Sequence, residues 1–446
     1  MKDKDQQVAQ PFALLEEHEA EEDIEDQQSS WRGRTEEPTQ PASLRSTSSR
    51  FGSFLFLSLC ITTTFFVATA LVFYLSSASS SSSSLPPLEQ GAAPVYLAVV
   101  GDYGRQGEYN QHAVAQQMSR ACLERTVRHD QHSPMALNVT SGGRCDALVG
   151  TGDNFYSNGI TSLQDPHLNV SFEHVYTLPG LMATPFYQLN GNHDYRGRPD
   201  LEIEYTKQSK DGSWQMPDYF YEIVLEAPSP KQEEERDENA DEELYLTRIH
   251  LIFIDTTPFH AKYGEEDDIN HEIWEERRKH NQEQVQWVQQ QLQKYKLRSD
   301  VVPEDNATTR AEAVDYRIVV GHHPLYSYAR HGNSQEMIDT FEDIFLEGKV
   351  FAYLCGHDHN LQHIQRSGQP LHHLLSGAGS EVRPVNKKGW FDHSLQRSYA
   401  QSSFMFLRFD ASNVHVQWIN HEGDTVETFS LPNPYPTPTA TNHNSR

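Results

Sequence analysis

Five short apolar runs, rich in β-branched residues, punctuate an otherwise polar chain: Val95 to Val100, Ala147 to Val149, Phe186 to Leu189, Ile318 to Val320 and Val350 to Cys355. Each is closed by Gly and Asp or Asn or His, and runs of that length between such residues predict buried strands. Leu251 to Asp255 reads as a further strand. Asn281 to Lys296 differs: Val285, Val288, Leu292 and Tyr295 recur at helical spacing, which predicts an amphipathic helix lying on a sheet. The class is therefore α/β. The segment 94–431, about 340 residues, is long for one domain and suits a sandwich of two sheets. No internal repeat is evident.

The first ninety residues follow another pattern. Residues 1–50 are rich in Glu, Asp, Gln, Ser and Pro, cannot bury a core, and are expected to form a disordered cytosolic tail. Phe51 to Leu75 then runs 25 residues without a charge, long enough as a helix to cross ~30 Å of hydrocarbon. It is too long, and begins too far into the chain, for a cleaved signal peptide. Arg45 and Arg50 precede it, and no Lys or Arg follows until Arg105. The expectation is a single-pass type II signal anchor, with the catalytic region luminal or extracellular. Residues 76–93 form a Ser/Pro-rich stalk, and 432–446 are expected to be a disordered C-terminal tail. Glycosylation sequons at Asn138, Asn169 and Asn306 all fall on the luminal side. Cys60 lies in the span, Cys122 and Cys145 could pair in an oxidising lumen, and Cys355 lies on a buried strand. A net charge of −27 excludes nucleic acid as a partner, since a polyanion would be repelled.

The chemistry is concentrated where the apolar runs end. Gly101-Asp102-Tyr103-Gly104, Gly152-Asp153-Asn154-Phe155-Tyr156, Gly191-Asn192-His193-Asp194, Val319-Val320-Gly321-His322 and Gly356-His357-Asp358-His359 follow in that order. They offer seven metal donors: Asp102, Asp153, Tyr156, Asn192, His322, His357 and His359. Seven suffice for two adjacent ions when one carboxylate bridges, and mixed carboxylate, amide and imidazole donors suit iron, zinc or manganese. Such a pair of ions is a common clamp for attack at phosphorus. Any one of these motifs alone is more readily a turn; five of them at strand ends indicate a two-metal phosphoesterase.

Together these residues resemble the purple acid phosphatases of the calcineurin-like metallophosphoesterase superfamily, and most closely the tartrate-resistant acid phosphatase type. The resemblance extends through Gly191-Asn192-His193-Asp194-Tyr195, through Tyr353 to Gln362, and through Leu375-Ser376-Gly377-Ala378-Gly379. It implies a four-layer αββα sandwich, preceded here by the disordered tail and one transmembrane helix. It further implies hydrolysis of phosphate monoesters, small molecules or phosphoproteins, by a metal-bound hydroxide. Asp102, Tyr156 and His359 would hold Fe(III), Asp153 would bridge, and Asn192, His322 and His357 would hold a divalent Fe, Zn or Mn. Where most of the superfamily has an Asp-x-His motif, this chain has Gly104, and Tyr156 supplies the missing donor as a phenolate suited to Fe(III). His193 would protonate the leaving alkoxide or hydrogen-bond the phosphate, Asp194 would orient His193, and His323 is a second candidate donor near the substrate. A phosphodiesterase or pyrophosphatase with another metal pair is the nearer alternative. A catalytically silent membrane-tethered binding protein is the more distant one.

Overall fold

The computed structural model describes residues 92–129, 145–227, 245–302, 304–385 and 394–435. The expected transmembrane span at 51–75, the stalk up to residue 91 and the sequon at Asn138 lie outside the described residues. Among the described residues no helix is long and apolar enough to cross a membrane.

The chain lays down β1 (Ala92–Ala93), β2 (Val95–Val100), α1 (Gln111–His129), β3 (Ala147–Gly150), β4 (Phe186–Tyr187), α2 (Pro199–Tyr205), β5 (Trp214–Gln215), β6 (Tyr221–Glu226), β7 (Tyr245–Leu246) and β8 (Arg248–Phe253). It continues with α3 (His271–Lys279), α4 (Asn281–Lys294), β9 (Tyr316–Val320), α5 (Gln335–Glu347), β10 (Ala352–Cys355), β11 (Leu361–Ile364), β12 (His372–Ser376), β13 (Leu395–Tyr399), β14 (Ser403–Phe409), β15 (Asn413–Asn420) and β16 (Thr425–Pro432). Two seven-stranded sheets result, ordered β16-β15-β14-β2-β3-β4-β5 and β13-β11-β12-β10-β9-β8-β6. Both are mixed. In the first, β2 to β5 are parallel, and β14, β15 and β16 extend the sheet antiparallel. In the second, β8, β9, β10 and β12 are parallel, flanked by antiparallel β6, β11 and β13.

The alternation of side chains along each strand explains the layering. Val95, Leu97 and Val99 of β2 pack between the sheets against Ile249, Leu251 and Phe253 of β8 and Ile318 and Val320 of β9. The intervening Tyr96, Ala98 and Val100 face outward, onto Val114, Ala115 and Met118 of α1. On the far side, Ile252 and Val319 meet Val288 and Leu292 of α4 and Met337, Phe341 and Phe345 of α5. The layers therefore run helix, sheet, sheet, helix. The helix expected at 281–296 is α4, and Val288 and Leu292 do face the sheet, while Tyr295 lies beyond its end. Cys122 and Cys145 form a disulfide that ties α1 to the approach of β3.

The fold extends past the expected boundary at residue 431. Pro432 closes β16, and the Asn433 amide is buried, donating to the carbonyls of Asp315 and Ala411. The expected tail therefore begins with ordered residues; its remainder, 436–446, lies outside the described residues.

Candidate metal centre

Parallel strands aim their carboxyl ends the same way, and the two sheets together bring five such ends to one edge. Asp102 follows β2, Asp153 follows β3, Asn192 lies beyond β4, His322 follows β9, and His357 and His359 follow β10. Three of these donors, Asp102, Asp153 and His357, adopt left-handed backbone with φ of 56°, 55° and 71°. That conformation costs an L-residue about 1 kcal/mol or more and persists only where the surroundings enforce it. The enforcing contacts are visible. Asp102 N–H donates to the Gly152 carbonyl at 3.0 Å, and His357 N–H donates to the Asp102 carboxylate at 3.0 and 3.2 Å. Close approach also demands glycine at one point: a Cβ on Gly191 would lie 2.1 Å from Asp153 Oδ1.

Two donor clusters share Asp153. In the first, the Tyr156 hydroxyl lies 3.1 Å from Asp102 Oδ1, 2.8 Å from Asp153 Oδ2 and 3.1 Å from His359 Nε2. In the second, His322 Nε2 lies 3.1 Å from Asn192 Oδ1, 3.3 Å from His357 Nδ1 and 3.5 Å from Asp153 Oδ2. Both clusters are rich in acceptors. The phenol has one hydrogen for two carboxylates, while His359 Nε2 and His357 Nδ1 each donate or accept according to tautomer. His322 donates Nδ1–H to the Thr151 carbonyl at 2.8 Å, so its Nε2 presents a lone pair toward a carboxamide oxygen and a carboxylate. Buried acceptors facing acceptors repel unless something positive lies among them.

The electrostatics agree. Burial, and then the neighbouring Asp153, push the Asp102 carboxyl well above its usual range. Burial, followed by the Asp102 and Asp153 carboxylates, pushes the Tyr156 phenol far up. Burial lowers His322, His357 and His359, keeping their imidazoles in the neutral form that ligates metals. Asp102 and His322 are wholly buried, whereas Asn192, His193, His357 and His359 keep 6% to 8% exposure, so solvent reaches the centre past these four.

The three expected catalytic residues separate. His193 stays at the centre: its N–H donates to Asp153 Oδ1 at 2.9 Å and its ring lies 4.4 Å from the Tyr156 ring. Its Nδ1–H donates to the Ser157 carbonyl at 2.7 Å, which turns Nε2 away from that bond. Burial, then Arg196, lower its pKa well below the usual histidine value. Asp194 does not orient His193. Its carboxylate is taken up by the backbone N–H groups of Gly191, Asn154 and Phe155 at 2.8 to 3.1 Å, so it clamps two donor loops together instead. His323 does not face substrate as a free donor either. Its Nδ1 meets Thr256 Oγ1 at 2.8 Å and its Nε2 meets Tyr263 OH at 2.7 Å, leaving it as a buttress beneath His357, 4.5 Å away between rings.

Several supporting residues escape a reading by motif. Arg196 lies 3.2 Å from His193 Nδ1 and pairs with Asp268 at 3.0 Å. Asn270 donates its side-chain amide to the Gly197 carbonyl, and its N–H to the Tyr195 carbonyl. Tyr195 and Tyr263 share a small apolar cluster with Ile269 and Trp274. The segment from Tyr263 to Trp274 thereby docks on the loop that carries Asn192 and His193. Arg196 was within reach of sequence reasoning, three residues beyond His193; the others act over separations that no spacing encodes.

A pair of mixed sheets that gathers acceptor-rich clusters at its parallel ends has the architecture of a metallophosphoesterase. Comparison with known proteins narrows this. The calcineurin-like phosphoesterase family profile matches residues 97–361. Purple acid phosphatase 4 of Arabidopsis thaliana is 31% identical over 329 residues, covering 74% of this chain and 80% of that protein. Tartrate-resistant acid phosphatase type 5 of Homo sapiens is 27% identical over 357 residues, covering 78% of this chain and 94% of that protein. Among solved structures, GAP50, described as the anchor in the inner membrane complex of Plasmodium, superposes with a TM-score of 0.58. It covers 77% of this chain and 90% of its own at 19% identity, a likeness of fold alone. The chain belongs to the calcineurin-like phosphoesterases and, within them, to the purple acid phosphatases.

Proposed function

We propose that this chain is an acid phosphatase that hydrolyses phosphate monoesters at an Fe(III)–M(II) centre, M being Fe, Zn or Mn. The observation that carries the reading is the surplus of buried acceptors in two clusters joined by Asp153, which two cations would relieve. Asp102, Tyr156 and His359 would hold the ferric ion, Asn192, His322 and His357 the divalent one, and Asp153 both. The ions would supply an acidified water at the working pH and two positive charges for the ester oxygens. The remaining work falls to the chain. The Thr151 carbonyl fixes the His322 tautomer, the Ser157 carbonyl fixes that of His193, and Asp194 locks the Asp153 and Asn192 loops at a set distance. His193 is the group proposed for proton delivery to the leaving alkoxide; because the Ser157 carbonyl holds its Nδ1–H, Nε2 carries a lone pair and would first have to take up the proton it delivers.

A luminal or extracellular catalytic region is proposed with it, on one N-terminal membrane anchor. The Cys122–Cys145 disulfide supports an oxidising compartment, and the exposed Asn306 keeps its side chain at a helix start where a glycan fits. Asn169 is half-buried beside Lys210, 2.7 Å away, which makes it the poorer acceptor.

The test is the visible absorption of the iron-loaded full chain beside its Tyr156→Phe variant. A violet tyrosinate-to-Fe(III) band, lost in the variant, together with turnover of monoesters over diesters, is the expected result. A colourless protein that holds two metals and cleaves diesters would replace this reading with the phosphodiesterase one. A metal-loaded protein that cleaves neither would favour a silent binding protein.

A further inference from the structure

Arg105 directly follows Gly104 and belongs to neither donor cluster. Its side chain is only 9% exposed, and its guanidinium carbon lies 4.0 Å from the centroid of the Tyr156 ring. Nη2 is held 2.8 Å from Glu381 Oε2. The other oxygen of Glu381 lies 3.6 Å from Arg383, whose backbone N–H donates to the His359 carbonyl at 2.8 Å. One carboxylate thus connects the loops of Asp102 and His359, and the cation it fixes rests on the ring of the residue between them.

A guanidinium over an aromatic face is attracted to the ring's electrons, and more strongly when the ring carries a negative charge. A buried charge is costly to desolvate, and here it is met by the Glu381 carboxylate and by two ring faces, Tyr156 at 4.0 Å and Tyr109 at 5.3 Å. An aliphatic side chain would fill the same space without that cost. The charge therefore has a consequence for Tyr156 that packing alone does not require.

We propose that Arg105 is a positioning residue of the centre. Pinned by Glu381 on the face of Tyr156, it steers the phenol oxygen to the meeting point of Asp102, Asp153 and His359 and weakens the phenolate as an electron donor to the ferric ion. The inference rests on Tyr156 binding Fe(III), as proposed above. Two readouts follow. The guanidinium lies over the ring, whereas the ion would sit beyond the hydroxyl oxygen, so the cation stabilises the donor electrons more than the accepting orbital. Charge transfer from tyrosinate to iron then needs more energy than it would without Arg105. A weaker donor and an added positive charge both favour the reduced ion, so the iron's midpoint potential is raised.

The experiment compares the iron-loaded full chain with Arg105→Met, Arg105→Lys and Glu381→Gln. Arg105→Met is expected to move the visible band to longer wavelength and lower the midpoint potential. Arg105→Lys, which keeps the charge, is expected to hold the band close to its wild-type position, and Glu381→Gln to shift it part of the way to longer wavelength. An iron-bearing Arg105→Met protein with unmoved band and potential overturns the proposal, as does a raised KM with no spectral change, which would make Arg105 a substrate contact. Should Arg105→Met fail to keep iron, Arg105→Lys decides: a band displaced to longer wavelength there shows that charge is not the agent. A wild-type protein that holds iron and shows no band overturns the tyrosinate reading itself, and with it this inference.

Discussion

On the reading proposed above, Gly104 is the reason the site would take a phenolate, and its substitution tests the whole arrangement. By the resemblance, it stands where the wider superfamily's Asp-x-His motif carries a histidine. A Cβ there would lie 1.8 Å from the Asn154 carbonyl oxygen, 2.2 Å from its carbon and 2.6 Å from Phe155 N. These are backbone atoms, so no side chain can swing aside. Carbon contacts settle near 3.5 Å, so the Asp102 and Tyr156 loops would have to part by roughly 1.5 Å. The Tyr156 N–H bond to the Gly104 carbonyl, 2.9 Å long, would break, and the 3.1 Å approach of the Tyr156 hydroxyl to Asp102 would open beyond bonding range. Gly104→Ala is expected to lose about 1–3 kcal/mol of stability by overpacking and, from displacement of this order, at least about 100-fold in turnover. Gly104→His should behave no better, although it restores a ligand type. Iron per chain, the visible band, kcat/KM on a monoester and urea unfolding measure the outcome. A Gly104→Ala protein with full iron and wild-type turnover would refute the claim that the two loops are locked by backbone contact.

Two further outcomes are expected. His193→Ala should retain both metals, because the contact to Asp153 is made by its backbone N–H, yet lose about 10²–10⁴-fold in turnover on an unactivated monoester; unchanged turnover would end its role as proton donor. His373, buried with neither ring nitrogen hydrogen-bonded, has its pKa lowered by burial from 6.5 to about 3. Its contribution to stability is present above pH 6.5 and lost as pH falls toward 3, roughly 2 kcal/mol of it between about pH 7 and pH 5. His373→Leu should remove that share of the acid sensitivity in urea unfolding at the two pH values, and equal losses in both proteins would refute the assignment.

The sequence exposes the parts of this fold that are built from contiguous residues. β2 is the apolar run Val95 to Val100 without adjustment, because a strand buried on both faces needs every position apolar. The donors stand at strand ends because parallel strands leave their carboxyl ends free, and glycine or aspartate marks each end. What escapes is orientation. His323 adjoins His322, and nothing in the pair of letters tells which ring turns to the centre; Thr256 and Tyr263, some sixty residues upstream, decide it. Asp194 adjoins His193 in the same way, and its three backbone partners draw it beneath the loops. Asn433 is polar, and its burial depends on carbonyls at Asp315 and Ala411 that its own neighbourhood does not reveal.

Two of these cases, His323 and Asp194, fall at the edge where the site residues gather, and so do three of the eight described non-glycine residues with left-handed backbone. Along most of the chain, local preference and final structure agree: β-branched runs form strands, and α4 packs the side that its spacing predicts. At the edge where the sheets meet, that agreement is given up. Three residues with left-handed backbone, Asp102, Asp153 and His357, stand here, two carboxylates lie within 3.1 Å of one buried phenol oxygen, and the His322 lone pair faces an amide and a carboxylate oxygen. Each departure destabilises the chain on its own, and a folded protein concentrates such departures where function requires them. The electrostatic ones would share one remedy on the proposed reading, positive charge at two points on either side of Asp153. A site optimised only for stability would have matched each acceptor with a donor; here the backbone N–H groups of His357 and His193 hold Asp102 and Asp153, while Asn192 Oδ1, His322 Nε2 and Asp153 Oδ2 are left facing one another.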